Sequence, residues 1–293
     1  MDIPLINLVF TLESGGGRVK PQLLFAFRQS FQTAFRGAVG CLAADGSCSA
    51  GGDCPCRYTF AQELSVDPTA LRRFQKPSLP FAFRLPLLDP EMQSGDIAEF
   101  SLTLIGGASN HLELYLAAVR AALAPPLRLL AIEAVAVDGS RKTLANRVGK
   151  ADLSSVAVTS FEEIMGSSVV ATGSLKLDFL TPLRLVHNGT PLYNPTFPAL
   201  AGALFRRVSS LAYYYGGVEF DCDFKWLAEK SRAIRCDNSD LKWVNWGGAL
   251  QGVVGTLSVS GELAELLPFL RLGELLNVGK GASYGMGGYC IGW

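Results

Sequence analysis

The chain has 293 residues, which is enough for two domains, and 49% of them are hydrophobic, which excludes an intrinsically disordered protein. Its 26 basic and 26 acidic residues cancel, and the sequence pI is about 6.7. Proteins that coat nucleic acid without specificity usually carry a strong basic excess. Any nucleic-acid site in this chain therefore has to be a local patch.

The hydrophobic content does not predict a membrane protein. The longest apolar stretch, residues 115–137, is interrupted by two arginines and two prolines, and no run approaches the ~20 apolar residues of a spanning helix. The first residues, MDIPLINLVF, lack the basic segment of a signal peptide. We expect a cytoplasmic protein with no membrane partner.

The first half of the chain predicts the element order β-α-β-β-α-β. Apolar residues recur at helical spacing after Pro21, which is tolerated in a first helical turn. The predicted strands cover residues 5–12, 81–88, 98–105 and 127–137, and the predicted helices run from 21 through 35 and from 111 to 123. This is the order of the split βαβ, ferredoxin-like unit.

A basic segment, DGSRKTLANRVGK, follows the fourth strand. It has no acidic residue after Asp138, and its cations are Arg141, Lys142, Arg147 and Lys150. Such a segment is commonly a solvated loop, and in an RNA-binding protein it is a candidate RNA contact. We assign residues 141–170 to a basic linker.

The second half repeats the order of the first. Its predicted strands are 174–180 with 183–186, a hairpin of 234–246 and 250–260, and 289–291; its predicted helices are 195–215 and 263–272. The internal repeat predicts an α+β chain of two tandem ferredoxin-like domains, residues 1–140 and 171–293, each with helices on one face of an antiparallel sheet.

A glycine-rich stretch closes the second half. Between residues 273 and 288 it holds six glycines around Lys280. Such glycines allow positive φ, and successive free amides make a concavity that suits a phosphate. A plain turn before a terminal strand explains the glycines equally well. A P-loop is excluded because Gly281, not Ser or Thr, follows the lysine, and no GxGxxG opens a helix after a strand.

The segment GELLNVGKGASYGMGGYCI resembles the C-terminal signature of the RAMP-superfamily CRISPR endoribonucleases that process precursor CRISPR RNA, the Cas-six family. Looser similarity extends through TPLRLVHNGTPLYNPTFPALAGALFRRVSSLAYYYGG and DLKWVNW to AFRGAVG, CRYTF and SLTLIGGA in the first half. The chain has Asn277 where similar proteins often carry His. The resemblance implies two tandem ferredoxin-like RAMP domains.

The resemblance also implies endoribonuclease activity on CRISPR repeat RNA, without a metal cofactor. In such cleavage the ribose 2′-OH attacks the adjacent phosphate and leaves 2′,3′-cyclic phosphate and 5′-OH ends. A base, an acid and a cation assist the reaction. Other RAMP-type CRISPR effector subunits are the implied protein partners.

Residues of the second domain are the candidates for these roles. Lys280 is the candidate cation, and His187 is the candidate base because its HNG turn follows the first strand of that domain. Asn277 cannot take a proton, but its amide can orient a ribose or phosphate oxygen, and Tyr284 is a weaker catalytic candidate.

The candidate RNA contacts are Arg206, Arg207, Gly279, Gly281, Ser283 and Gly285, with Arg141, Lys142, Arg147 and Lys150 of the basic segment. Candidate stacking residues for unpaired bases are Tyr213, Tyr214, Tyr215, Trp243 and Trp246, which are equally suited to a core.

A competing hypothesis is a binding module: a RAMP subunit that binds or caps crRNA within an effector complex and has lost cleavage. The replacement of His by Asn277 and the presence of just two histidines in the chain favour it.

Four of the seven cysteines lie in one insertion, residues 41–58, of the first domain. Cys41, Cys48, Cys54 and Cys56 are candidate ligands of a structural zinc ion, although their spacing is irregular. Reduced free thiols are the alternative, since a cytoplasmic chain is not expected to hold disulfides.

Overall fold

The computed structural model describes residues 2–16, 19, 23–41, 54–67, 76–86, 92–146, 151–167, 173–248 and 250–293. The elements of the first half are β1 Pro4–Ser14, α1 Leu23–Val39, α2 Pro55–Phe60, β2 Phe81–Arg84, β3 Ile97–Ile105, α3 Leu112–Ala122, β4 Leu127–Val135 and β5 Arg141–Asn146. Those of the second half are β6 Thr159–Ser160, α4 Phe161–Gly166, β7 Ser174–Leu183, β8 Val186–His187, β9 Thr190–Pro191, α5 Phe197–Gly216, α6 Phe224–Ala233, β10 Arg235–Asn245, β11 Gln251–Ser260, α7 Leu267–Leu276 and β12 Tyr289–Gly292.

Two antiparallel sheets carry the fold. The first has the strand order β2-β3-β1-β4-β5, with β6 pairing the start of β1, and the second has the order β10-β11-β7-β12. The four strands β2-β3-β1-β4 and the four strands β10-β11-β7-β12 occupy equivalent places. The structure thus confirms the predicted α+β architecture of two tandem ferredoxin-like domains.

Each sheet buries one face under its helices. In β7, Leu175, Leu177 and Phe179 alternate with more exposed residues and belong to a core that α5 and α7 complete. The core of the first domain is aromatic: Phe31 of α1 packs edge-on against Phe83 of β2, with ring centroids 4.9 Å apart. In the described parts of the chain, no helix is long and apolar enough to cross a membrane.

The basic segment is not a linker at its start. Arg141–Asn146 form β5, which pairs with β4 as an edge strand of the first sheet. Arg141 donates to both carboxylate oxygens of Glu99, at 2.8 and 3.0 Å, and this contact lowers the pKa of Glu99. Lys142 is exposed on the same strand, whereas Arg147 and Lys150 lie outside the described residues.

Candidate functional site

A cleft of about 440 Å³ lies in the second domain, and most of its lining comes from three elements of that domain. The first turns of α5 contribute Pro198 and Ala199, the hairpin after β7 contributes His187, and the glycine-rich stretch contributes Gly279 and Lys280. The cleft therefore joins segments that are almost 100 residues apart in the sequence.

The cleft is basic. Arg184, Arg206, Arg207 and Lys280 line it together with His187, and the lining residues that the structure describes include no carboxylate. Arg206 and Lys280 are exposed. The N-terminus of α5, where Pro198 and Ala199 lie, adds the positive end of a helix dipole. This combination suits an anionic ligand.

His187 is presented by a tight hairpin. β8 and β9 pair through the two-residue turn Asn188-Gly189, in which φ is 48° and 80°. Positive φ at both central residues is the geometry in which Asn-Gly is favoured. The turn leaves the imidazole exposed at the rim of the cleft.

The backbone of Arg184 fixes the position of Lys280. The Lys280 amide donates to the Arg184 carbonyl at 2.9 Å. At Gly279, φ is 86° and an added Cβ would stand 2.7 Å from that same carbonyl oxygen, so a side chain there would break the contact. Arg184 was missed as a candidate in the sequence because it is a lone cation after an apolar strand.

Most amides of the glycine-rich stretch are already bonded within the protein, which corrects the expectation of a row of free N–H groups. The amides of Val278, Lys280, Tyr284 and Gly287 donate to carbonyls, and that of Gly288 donates to the Thr181 hydroxyl at 2.8 Å. The loop therefore meets an anion chiefly through its side chains.

The glycine-rich stretch also joins the two domains. The Phe83 amide of β2 donates to the Ser283 carbonyl at 3.0 Å, and Tyr284 packs edge-on against Phe81, with ring centroids 5.4 Å apart. Met286 is buried in the core of the first domain. Ser283 is buried and Tyr284 half-buried, and neither lines the cleft among its described residues. Ser283 and Tyr284 therefore contribute to the contact between the domains.

Asn277 is fully buried, so its amide does not face the cleft as the sequence suggested. Its Nδ2 donates to the carbonyls of Phe83 and Ala282, at 2.7 and 2.8 Å. The residue caps α7 with φ at 56°. Asn277 therefore links α7, the glycine-rich stretch and β2 through hydrogen bonds.

Arg207 is buried, with 7% of its surface exposed, which corrects its assignment as a surface phosphate contact. Its Nε donates to the Leu276 carbonyl at 2.8 Å at the end of α7, and its Nη2 donates to Ser283 Oγ at 3.4 Å. Burial lowers the pKa of Arg207 to about 10, which still leaves it charged at neutral pH. It contributes positive charge beneath the cleft.

Most candidate stacking residues are structural. The Tyr215 hydroxyl donates to the Ser78 carbonyl at 2.7 Å, and Tyr213 and Tyr214 bond to Ser65. Trp246 packs edge-on against Phe25 of the first domain. The fifth candidate, Trp243, packs against Tyr193.

Gly281 and Gly285 both have positive φ and do not line the cleft among its described residues. Arg141 lines a different cleft, of about 310 Å³, between the two sheets. The structure therefore brings five of the predicted site residues to one cleft. Arg207 is buried, and the other four are His187, Arg206, Gly279 and Lys280.

Three of the four clustered cysteines lie among the described residues. Cys56 is buried on α2, while Cys41 and Cys54 are partly buried against the first core. Burial first, and then the neighbouring Cys41, raise the pKa of the Cys56 thiol to about 12. No three His, Cys, Asp or Glu side chains in the described ranges are grouped to hold a metal ion, and Cys48 lies outside those ranges.

If these four cysteines bind zinc, we expect the purified protein to carry about one equivalent of it. Cys54→Ser should lower both the zinc content and the thermal stability, because metal binding to a structural site is coupled to folding. Metal analysis by mass spectrometry measures the content directly. Zinc-free protein in which all seven cysteines react as thiols after unfolding would show that the cysteines are reduced and bind no metal.

Comparisons with known proteins agree with this architecture. The family model of the CRISPR-associated endoribonuclease Cas6 matches residues 177–289, and an N-terminal domain model, AF_1859_N, matches residues 4–147. No curated protein matches the chain in sequence.

Solved structures match along nearly the whole chain. Thermus thermophilus Cas6 has a TM-score of 0.58 at 15% identity, with 99% of each chain covered. A Cas6 product complex has a TM-score of 0.59 at 16% identity, covering 99% of this chain and 100% of that one. A partial Cas6-RT-Cas1–Cas2 complex has a TM-score of 0.63 at 14% identity, and this chain spans 46% of the length of the matching chain. Residues 177–289 thus match the Cas6 family model, and the chain as a whole shares the fold of these Cas6 structures.

Proposed function

We propose that this protein is an endoribonuclease that binds CRISPR repeat RNA in the cleft and cleaves precursor crRNA without a metal ion. The observation that carries the proposal is the cleft itself: His187 and the exposed cations Arg206 and Lys280 line one space without a described carboxylate. The match of residues 177–289 to the family model of the CRISPR-associated endoribonuclease Cas6 supports RNA as the ligand.

The proposed reaction needs few protein groups. His187 takes the proton from the ribose 2′-OH, whose oxygen attacks the adjacent phosphorus. The P–O5′ bond breaks, the O5′ atom takes a proton, and the products are a 2′,3′-cyclic phosphate and a 5′-OH. Lys280 stabilises the charge that grows on the non-bridging oxygens, and Arg184 and Arg206 hold the neighbouring phosphates.

The burial of Asn277 removes one argument for the non-cleaving alternative. Its side chain bonds Phe83 and Ala282 inside the protein, so the exchange of His for Asn at this position takes no group from the cleft. We propose that other RAMP-type effector subunits are the protein partners.

We predict that Lys280→Ala and Arg206→Ala each weaken repeat-RNA binding several-fold. Each loss should also reduce the slope of log affinity against log salt by about one, because one phosphate contact is removed. Filter binding at several salt concentrations measures both effects. Arg232→Ala, at an exposed cation on α6 away from the cleft, is the matched control and should bind as the wild type does. Unchanged affinity in both cleft variants would place the RNA elsewhere.

A further inference from the structure

Tyr193 and Trp243 form an exposed aromatic pair in the second domain. Their ring centroids are 4.4 Å apart and their planes are inclined by 44°. Tyr193 is 58% exposed, while Trp243 on β10 is partly buried against the core of the domain. The Tyr193 ring therefore packs against Trp243 on one side and is exposed to solvent on the other.

The pair stands beside the basic cleft. Tyr193 directly follows Leu192, which lines the cleft and whose amide donates to the Leu185 carbonyl at 2.9 Å. Leu185, Leu192 and Pro198 form an apolar part of the cleft wall. This apolar part of the wall therefore lies between the cations of the cleft and the exposed ring of Tyr193.

We propose that an unpaired base of the bound RNA, next to the phosphates held in the cleft, stacks on Tyr193. A single-stranded nucleotide offers both chemistries that this surface presents, an anion for Arg206 and Lys280 and a flat apolar face for the ring. A base inside a duplex has no free face for the ring. The surface therefore selects an unpaired nucleotide at one position and is tolerant of which base it carries.

Trp243 acts as a positioning residue. It lies opposite Val253 in the β10–β11 ladder, which fixes its backbone, and its ring limits the orientations of Tyr193. A tyrosine that is already oriented loses less side-chain freedom when a base stacks on it. The hydroxyl of Tyr193 is not needed for stacking, so phenylalanine should replace it.

The proposal rests on the cleft being the RNA site. The experiment tests the cleft assignment and the stacking on Tyr193 separately. We would measure the affinity of the wild type, Tyr193→Ala, Tyr193→Phe and Lys280→Ala for the repeat RNA and for a series in which each nucleotide in turn is abasic. Trp226→Ala is the control, because Trp226 is an exposed aromatic on α6 that does not line the cleft.

We expect Tyr193→Ala to lose about tenfold in affinity, a typical loss for one stacked base, with an unchanged salt slope. Tyr193→Phe and Trp226→Ala should bind as the wild type does. The RNA that lacks the stacked base should bind the wild type about tenfold more weakly than the intact repeat RNA does. Tyr193→Ala should bind that abasic RNA and the intact RNA equally well.

Wild-type affinity of Tyr193→Ala for the repeat RNA would overturn the stacking proposal. The proposal would also fall if every abasic RNA bound Tyr193→Ala more weakly than the wild type by the same factor, because a uniform loss indicates a structural role. If Lys280→Ala is then still weakened, the cleft remains the RNA site and the stacking proposal alone falls. If neither variant differs from the wild type, the cleft assignment falls as well.

Discussion

Replacing His187 with alanine is expected to slow cleavage of repeat RNA at least ~100-fold, since a positioned acid–base group contributes 10²–10⁴ in rate. His187 is the one histidine among the described lining residues of the cleft. RNA affinity should change little, because the cations remain. Single-turnover cleavage with enzyme in excess measures the rate, and filter binding measures the affinity.

His111→Ala is the matched control. His111 lies just before α3, beside the ring of Tyr58 and away from the cleft, so its loss should leave the rate unchanged. Cleavage at the wild-type rate by His187→Ala would refute the assignment of the base. Equal losses in both histidine variants would indicate damage to the fold.

Asn277→Ala is expected to lower the free energy of unfolding by about 3 kcal/mol. The change leaves the buried Phe83 carbonyl without its Asn277 donor, a loss that costs about 1–3 kcal/mol. It also removes one of two donors to the Ala282 carbonyl, which keeps the Gly285 amide at 3.2 Å. It also places alanine at a φ of 56°, which non-glycine residues other than Asn and Asp rarely adopt. Part of the loss is offset because Asn277 Oδ1 already lacks a described partner. Urea denaturation followed by tryptophan fluorescence measures the change.

Asn238→Ala on the edge strand β10 is the control for Asn277. Asn238 is exposed, and its replacement should change the free energy of unfolding by no more than ~0.5 kcal/mol. A loss below about 1 kcal/mol in Asn277→Ala would contradict its role as the tie between the domains.

The ferredoxin-like repeat was predictable because its strands and helices carry clear apolar periodicity. β5 and α6 were missed for the opposite reason. β5 begins with a run of polar residues, and its contacts with β4 include the ion pair of Arg141 with Glu133. α6 is polar overall, and its best signal is the N-cap Asp223, whose carboxylate accepts from the amides of Lys225 and Trp226.

The site was predictable only in part. The HNG turn and the glycine-rich stretch identify His187 and Lys280 as residues of exposed loops, and the fold brings both to one cleft. Adjacent arginines on a helix differ in direction by about 100°, so Arg206 and Arg207 cannot both point away from the core. The apolar positions Leu200, Leu204 and Leu211 of α5 place Arg207 on the buried side of the helix. Nothing in the sequence indicates that Asn277 bonds to β2.

Cleavage of the chain's own repeat RNA by the purified protein, in buffer with EDTA, tests the central claim most directly. The account predicts one cut per repeat, with a 2′,3′-cyclic phosphate on the upstream fragment and a 5′-OH on the downstream one. It also predicts that a 2′-deoxy substitution at the cut nucleotide blocks the reaction. Tight binding of the repeat with no cleavage, in EDTA or in added Mg²⁺, would contradict the account and identify a subunit that only binds crRNA.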